Sequence, residues 1–182
     1  MKKLATVAAL AILTASSVSA EGFYVGAGIS QERISPVDAP VSFKSTNAIA
    51  LIGYDINDMI SVEAETSLPV SKDNITDISS EITADVSVNH TAVFAKFTLP
   101  TSGSFKPFAR AGMTKATFKA ENMSVGSSVM KVNDTVFSYG IGAEWAMSEK
   151  FGLRVDYSMM EMSDDVSSAD VEVIALSSVY RF

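Results

Sequence analysis

The feature that most constrains the fold is an alternation of apolar with small or polar residues, which runs through almost the whole chain after residue 20. Successive side chains of a β-strand point to opposite faces, so a period of two predicts strands with one apolar face. Apolar residues at the three- and four-residue spacing of helices are hard to find. The sequence therefore predicts an all-β protein with eight strands, at about residues 22–34, 45–55, 60–68, 84–99, 105–119, 132–147, 151–163 and 169–182.

The connections between these strands alternate between short and long. Short turns occupy residues 56–59, 100–104 and 148–150, and longer connections rich in Ser, Asp, Asn and Gly occupy residues 35–44, 69–83, 120–131 and 164–168. A meander with short turns at one end and long loops at the other is typical of bacterial outer-membrane barrels, whose turns face the periplasm. We therefore expect an eight-stranded antiparallel up-and-down transmembrane β-barrel with both termini in the periplasm.

The two faces of the predicted strands favour a membrane barrel over a water-soluble one. In the strand at 151–163, Leu153 and Val155 alternate with Arg154 and Asp156, which gives one lipid-like face and one polar face. A soluble ligand-binding barrel needs an apolar interior and a polar outside. Unpaired charges in such an interior would be costly, so a soluble periplasmic barrel is the less favoured alternative.

Residues 1–20 are typical of a signal peptide, and we expect residues 21–182 to form the outer-membrane β-barrel domain. Two lysines open the segment, an apolar stretch follows, and small residues precede the expected cleavage after Ala20. The apolar stretch is about ten residues long, whereas a helix needs roughly twenty to cross a bilayer. We therefore expect export and a final location in the cell outer membrane of a Gram-negative bacterium.

The composition excludes several classes of protein. Without the leader the chain keeps 12 basic and 21 acidic side chains, and this acid excess argues against binding to nucleic acid, which needs a basic surface. The chain has no cysteine. Disulfide frameworks, thiol catalysis, zinc ribbons and a lipid anchor attached after the leader are therefore not expected.

Aromatic residues cluster near the short turns and the chain termini, where amphipathic rings would meet the membrane interface. The predicted interface aromatics are Phe23, Tyr54, Phe97, Phe105, Trp145, Phe151, Tyr180 and Phe182. A thinner second girdle has Phe137 and Tyr139 as its best candidates.

Charged residues on the inward face lie at similar depth, each a few residues from a short turn. These residues are Asp55, Glu63, Glu65, Lys96, Arg110, Glu144, Arg154 and Asp156. The interior of an eight-stranded barrel is just wide enough for side chains to fill it. Because unpaired buried charges are costly, we expect opposite charges to pair across the lumen in a structural network that closes it.

Taken together, these features resemble the small eight-stranded outer-membrane barrels of the OmpA and OmpX type, and the broader outer-membrane β-barrel domain family. The resemblance rests on the leader ending at Ala20 and on segments 22–28, 106–112, 139–144 and 179–182. It covers essentially the whole mature chain. It departs from OmpA because nothing after the barrel would form a peptidoglycan-binding domain, so anchoring of the cell wall is not expected.

The resemblance also implies partners. The alternation that ends in Tyr180 and Phe182 looks like the signal by which the family's barrel-assembly machinery recognises its clients. That machinery, periplasmic chaperones, outer-membrane lipids and lipopolysaccharide are therefore the expected partners. A host or cell-surface ligand at the extracellular loops is a further possibility, and nucleic acid is not expected.

No motif predicts an enzyme, a metal site or a cofactor. The only histidine is His90, and no recognisable pattern sets a nucleophile or a carboxylate beside it, so we interpret it as an ordinary strand residue. We expect Glu63 and Glu65 to face the lumen and to pair with Arg110 or Arg154 rather than to catalyse proton transfer. The acidic residues of the loops lack the spacing of an EF-hand. We therefore expect no catalytic residue, no cofactor and no bound metal.

The sequence favours a non-enzymatic integral outer-membrane barrel with a structural or surface-interaction role, in adhesion or envelope integrity, through its extracellular loops. The main alternative is a narrow porin-like channel for ions or small solutes. An enzyme that uses His90 is a less favoured possibility.

Overall fold

A computed structural model describes residues 22–36, 43–71, 73–77, 82–122, 129–163 and 168–182, and these residues form nine β-strands. The strands are β1 (Phe23–Pro36), β2 (Phe43–Asp55), β3 (Ile60–Ser71), β4 (Asp73–Asp77), β5 (Ile82–Thr98), β6 (Phe105–Asn122), β7 (Val129–Ala146), β8 (Phe151–Ser163) and β9 (Ser168–Arg181). Within these ranges no helix is both long and apolar enough to cross a membrane.

The strands close into one antiparallel barrel. Strands that follow one another along the chain pair with each other, except that β5 pairs with both β3 and β4. The ring is completed where β9 pairs back with β1, from Tyr24↔Arg181 to Pro36↔Ala169. Strand β4 pairs with β5 alone among the described strands and continues the place of β3. The barrel wall therefore has eight strands, and the predicted eight-stranded up-and-down architecture is confirmed.

The two ends of the barrel differ, and we name them by what they carry. The turn end carries Gly22, the closing Phe182 and the turns at 56–59, 99–104 and 147–150. At the opposite end, the far end, the connections at 37–42, 78–81, 123–128 and 164–167 lie outside the described residues.

The prediction of long loops at the far end is wrong for much of their length. Strands β6 and β7 pair as far as Glu121↔Val129, inside the predicted loop at 120–131. A β4–β5 hairpin likewise occupies most of the predicted loop at 69–83. The connections left between strands are therefore no longer than the turns at the opposite end. These segments are rich in Ser, Asp, Asn and Glu, so their composition resembles that of loops although their backbones pair as strands.

Outside the lumen the barrel presents an apolar band. On β6 the outward side chains from Phe105 to Met113 are apolar, and the next one outward is Lys115. From Phe105 to Lys115 the strand covers about 34 Å at about 3.4 Å per residue. At the usual tilt of about 40° this corresponds to about 26 Å of membrane, which matches the lipid-facing band of outer-membrane barrels.

Polar side chains limit this band at the far end. Gln31, Lys44 and Asp170 are exposed and lie on the outward faces of β1, β2 and β9, beyond the apolar residues of those strands. The outward faces of these three strands therefore change from apolar to polar in the same direction along the barrel, as expected where the protein leaves the hydrocarbon.

Candidate functional site

The lumen is filled with charged side chains, which alternation directs inward from all eight wall strands. We call this set the lumen network. Its buried members are Glu32, Glu63, Glu65, His90, Lys96, Arg110, Glu144, Arg154 and Asp156, with Asp55 and Arg181 half-buried at the turn end.

Arg154 lies near the centre of the lumen network. Its Nη1 donates to Glu63 Oε1 at 2.6 Å and its Nε to Asp156 Oδ1 at 2.7 Å. The guanidinium also lies over the Phe108 ring, 4.4 Å from the centroid. Burial of a charge is costly unless it is paired and hydrogen-bonded, and these contacts offset that cost.

Arg110 forms a second branched ion pair. Its Nη1 lies 2.9 Å from Glu65 and its Nη2 lies 2.9 Å from Asp156. Its Nε donates to the Ser158 hydroxyl at 3.0 Å. Because Asp156 pairs with both arginines, it joins the two branches across β6 and β8.

Lys96 joins the network through Glu63 and Tyr24. The Lys96 ammonium lies 3.0 Å from Glu63 and donates to the Tyr24 hydroxyl at 2.8 Å, and that hydroxyl donates to Glu63 at 2.6 Å. The tyrosine ring crosses Gly53, where a Cβ would lie 2.1 Å from the ring carbon Cζ. Gly53 therefore makes the room that positions Tyr24.

The turn end of the lumen opens into a cavity of about 560 Å³. Its inner wall includes Lys96 and Arg181. Arg181 donates from both terminal nitrogens to Glu144, with one contact at 3.0 Å, and its Nε lies 3.6 Å from Asp55. The cavity thus ends against ion pairs that belong to the network.

His90 lies beside acidic side chains that are distant from it along the sequence. Its Nδ1 is 2.9 Å from Glu32 and its Nε2 is 3.1 Å from Glu65, while the Ser67 hydroxyl is 3.0 Å from Nδ1. The absence of a recognisable sequence pattern around His90 therefore gave no sign of these contacts. The partners come from β1 and β3, so no local pattern signals them.

The grouping of Ser67, His90 and Glu65 has the residue types of a hydrolytic triad. Nucleophilic catalysis requires that a substrate reach the hydroxyl. Ser67 is fully buried and accepts a hydrogen bond from the His90 backbone N–H at 2.8 Å, and Asn47 donates to the neighbouring Glu32 at 2.6 Å. These contacts bind β1, β2, β3 and β5 together, which is a structural task.

An apolar layer lies between the lumen network and the far end. Its members are Ile34, Ala116, Val136, Met160, Val171 and Val173, all buried and in mutual contact. Ile34 follows Glu32 by two residues on the inward face of β1. A cluster without polar atoms has nothing to hold an ordered water, so this layer is dry.

The predicted site residues all take positions consistent with their assigned faces. The eight inward charges lie in or at the mouth of the lumen. Seven of the predicted interface aromatics are exposed on the outside, and the eighth, Phe182, is half-buried and packs edge-on against Tyr180 at 5.2 Å. Phe137 and Tyr139 are exposed on the outward face of β7, with ring centroids 6.3 Å apart.

The prediction missed several members of the site. Tyr24 and Arg181 contact the predicted charges Glu63 and Glu144 directly. Glu32 and Ser67 contact His90, which was interpreted as an ordinary strand residue. The alternation of their strands assigns each of them to the inward face, so that signal was available. In the described part of the chain, no three His, Asp or Glu side chains are grouped as ligands of a metal ion.

Solved structures show the same fold at low sequence identity. Neisserial surface protein A (NspA) is 17% identical, with a TM-score of 0.69 over 89% of this chain and 98% of that chain. The attachment invasion locus protein Ail of Yersinia pestis is 17% identical, with a TM-score of 0.63 over 89% and 99%. OprG, an outer membrane protein of Pseudomonas aeruginosa, is 14% identical, with a TM-score of 0.65 over 89% and 96%.

No curated protein matches the sequence significantly. The family model of the outer membrane protein beta-barrel domain matches residues 4–182. This match covers nearly the whole chain and agrees with the closed barrel, its apolar outer band and its polar lumen. The chain therefore belongs to the outer membrane protein beta-barrel domain family.

Proposed function

We propose that the protein is a non-enzymatic integral barrel of the outer membrane that acts through its surface at the far end, in attachment or in support of the envelope. The observation that carries the proposal is the filled lumen. The lumen network occupies one part of the interior and the apolar layer another. Among the residues that the structure describes, this interior therefore offers neither a solute path nor an accessible catalytic group. The far-end connections are then the surface available for partners.

The proposed orientation places the turn end in the periplasm and the far end outside the cell. Short turns of outer-membrane barrels face the periplasm, and both ends of the barrel chain lie at the turn end. Export by a cleaved leader at 1–20, and assembly through Tyr180 and Phe182, are part of the same proposal. Lipopolysaccharide would then surround the polar outward residues at the far end.

The names of two similar structures support a surface role. One is a surface protein and another an attachment invasion locus protein, which has also been solved with the heparin analogue sucrose octasulfate. The acid excess of this chain does not suit a sulfated sugar, because like charges repel. We therefore propose a protein, rather than a sulfated glycan, as the class of partner in attachment.

The test compares a strain that lacks the protein with strains that produce the wild type or a variant whose segments 37–42 and 123–128 are replaced by Gly and Ser. We expect the strain that lacks the protein to lose attachment to cells and survival in detergent. We expect the wild-type protein to restore both. Attachment should stay lost with the variant although its barrel assembles. If the deletion changes neither attachment nor detergent survival, the proposal fails.

A narrow channel is the second candidate, because the cavity at the turn end reaches inward to Lys96 and Arg181. Purified protein in a planar bilayer separates the two functions. The filled lumen predicts no stable conductance steps for the wild type. Reproducible steps that scale with salt concentration would establish a channel instead.

A further inference from the structure

The outward surface near the turn end contains an apolar groove of about 600 Å³ that crosses β6, β7 and β8. Its floor is formed by small residues: Ala109 on β6, with Gly142 and Ala143 on β7. Larger side chains stand beside them, since Phe97 is the register partner of Ala109 on one side and Ile141 on the other. The groove therefore follows from three small residues among larger neighbours.

The groove belongs to the lipid-facing surface and lies in the half nearest the turn end. Pro107 and Ala143 are register partners in its lining, and the next outward pair toward the turns is Phe105 and Trp145. Both aromatic side chains are exposed at the position of the membrane interface. The groove thus begins directly inside the aromatic girdle.

We propose that this groove binds one acyl chain of a phospholipid in the periplasmic leaflet. The surface of this recess is almost entirely apolar although Asp156 and Tyr157 contribute to its lining. It therefore gives ordered water few polar partners, and leaving it empty would forfeit dispersion contacts on its walls. Its mouth opens to the bilayer, so an acyl chain reaches it laterally. The binding site is independent of the proposed function, and only the choice of leaflet rests on the proposed orientation.

The side chains on either side of the groove suit an acyl chain that is held between walls rather than one that lies on a flat surface. Val155 and Tyr157 on β8 and Ile174 on β9 line the side opposite Phe97. The groove is thereby bounded on both sides by side chains carried on paired strands. Such a preformed recess lowers the ordering cost of binding, which distinguishes a retained lipid from bulk lipid.

Trp145 is the only tryptophan of the chain and lies two residues from Ala143, so its fluorescence reports on the groove. The experiment titrates the delipidated, detergent-solubilised full barrel with phosphatidylethanolamine brominated in its acyl chains, which quenches a nearby indole. We expect quenching that saturates at about one lipid per barrel. A brominated detergent serves as the reference for general access to Trp145.

Two variants fill the groove and one is the matched control. Ala109→Phe and Ala143→Phe place a ring on the floor, whereas Ala27→Phe adds the same ring to the outward face of β1, away from the groove. We expect the groove variants to lose saturable quenching and the control variant to keep it. Quenching by the brominated detergent should be the same in all folded proteins, checked by gel mobility without boiling.

Equal lipid quenching in the groove variants and the control would overturn the inference, as would quenching in the wild type that never saturates. A wild type that is dimeric by light scattering, with monomeric groove variants, would assign the groove to a second copy of the chain and also overturn it. These outcomes leave attachment and conductance untouched, so they are distinguishable from failure of the proposed function.

Discussion

Arg154 shows at the residue scale why the lumen network must be complete. It is buried and pairs with Glu63 and Asp156. Replacement by alanine removes the shared cation and leaves two buried carboxylates with fewer partners. Breaking a buried ion pair on one side costs about 3–5 kcal/mol. We expect Arg154→Ala to lower the free energy of unfolding in urea by about that amount.

The matched control is Arg33→Ala, because Arg33 is exposed on the outward face of β1 near the far end. Surface substitutions of this kind change stability by about 0.5 kcal/mol or less. Unfolding of both variants in urea is followed by the change in Trp145 fluorescence and by the loss of the folded gel band. Equal unfolding midpoints for the two variants would show that Arg154 does not hold the network together.

Gly53 offers a second test at the same scale. A side chain at this position would overlap the Tyr24 ring, whose hydroxyl bridges Lys96 and Glu63. We expect Gly53→Val to destabilise the barrel by about 1–3 kcal/mol, the usual cost of forcing extra atoms into a packed interior. Gly103→Ala is the control, since Gly103 lies in an exposed turn where an added Cβ would lie 4.0 Å from the nearest atom, the Phe105 nitrogen. A harmless Gly53→Val would contradict the assigned position of Tyr24.

At the scale of the element, alternation predicts strands well where they cross the lipid and poorly beyond it. The starts of β3, β6 and β8 at Ile60, Phe105 and Phe151 agree with the predicted ones, because turn residues interrupt the pattern there. Toward the far end the outward faces become polar, as at Gln31, Lys44 and Lys115, so the sequence signal fades while strand pairing continues. Boundaries on that side depend on pairing with a neighbour, which a single strand does not encode.

The lumen network was likewise predictable from the sequence only in part. Alternation assigns the inward side chains, so most of the charges were predictable. Their partners were not, since Arg154 and Glu63 are 91 positions apart and meet only when the barrel closes. His90 is the clearest case, because its acidic partners on β1 and β3 depend on barrel register rather than on local spacing.

The lipid-facing band gives a test for whole strands. Ile141 is exposed at mid-band on β7, and Gln31 lies outward at the far edge on β1. A lysine facing lipid costs about 2–4 kcal/mol near the midplane and about 0–1 kcal/mol near the interface. We expect Ile141→Lys to destabilise the folded barrel in vesicles much more than Gln31→Lys. The reverse order in urea unfolding would place the membrane elsewhere on the barrel.

The closing strand carries a prediction about assembly. Phe182 packs against Tyr180, and its backbone N–H donates to Phe23 across the seam between β9 and β1 at 3.2 Å. We expect Phe182→Ala to reduce the amount of folded protein in the outer membrane several-fold. Phe137→Ala, an outward aromatic toward the other interface, should assemble normally. Equal amounts of both variants in blots of membrane fractions would remove Phe182 from the assembly signal.

On the scale of the whole molecule, the outer and inner surfaces of one closed sheet have opposite character. The outside is an apolar band, and the inside is a paired charge network capped by an apolar layer. Each surface needs its own surroundings. The apolar band needs lipid, and the buried charges need partners of opposite sign. The closed sheet satisfies both conditions and leaves its two ends for contact with water.

The central claim is that the chain is a closed barrel in the outer membrane, and gel mobility tests it most directly. Membrane fractions are run in SDS with and without boiling, and the protein is detected by an antibody. We expect a faster or slower band in the unboiled outer-membrane fraction that converts to the position of the unfolded chain on boiling. A single heat-independent band, found in the soluble periplasmic fraction, would contradict the account.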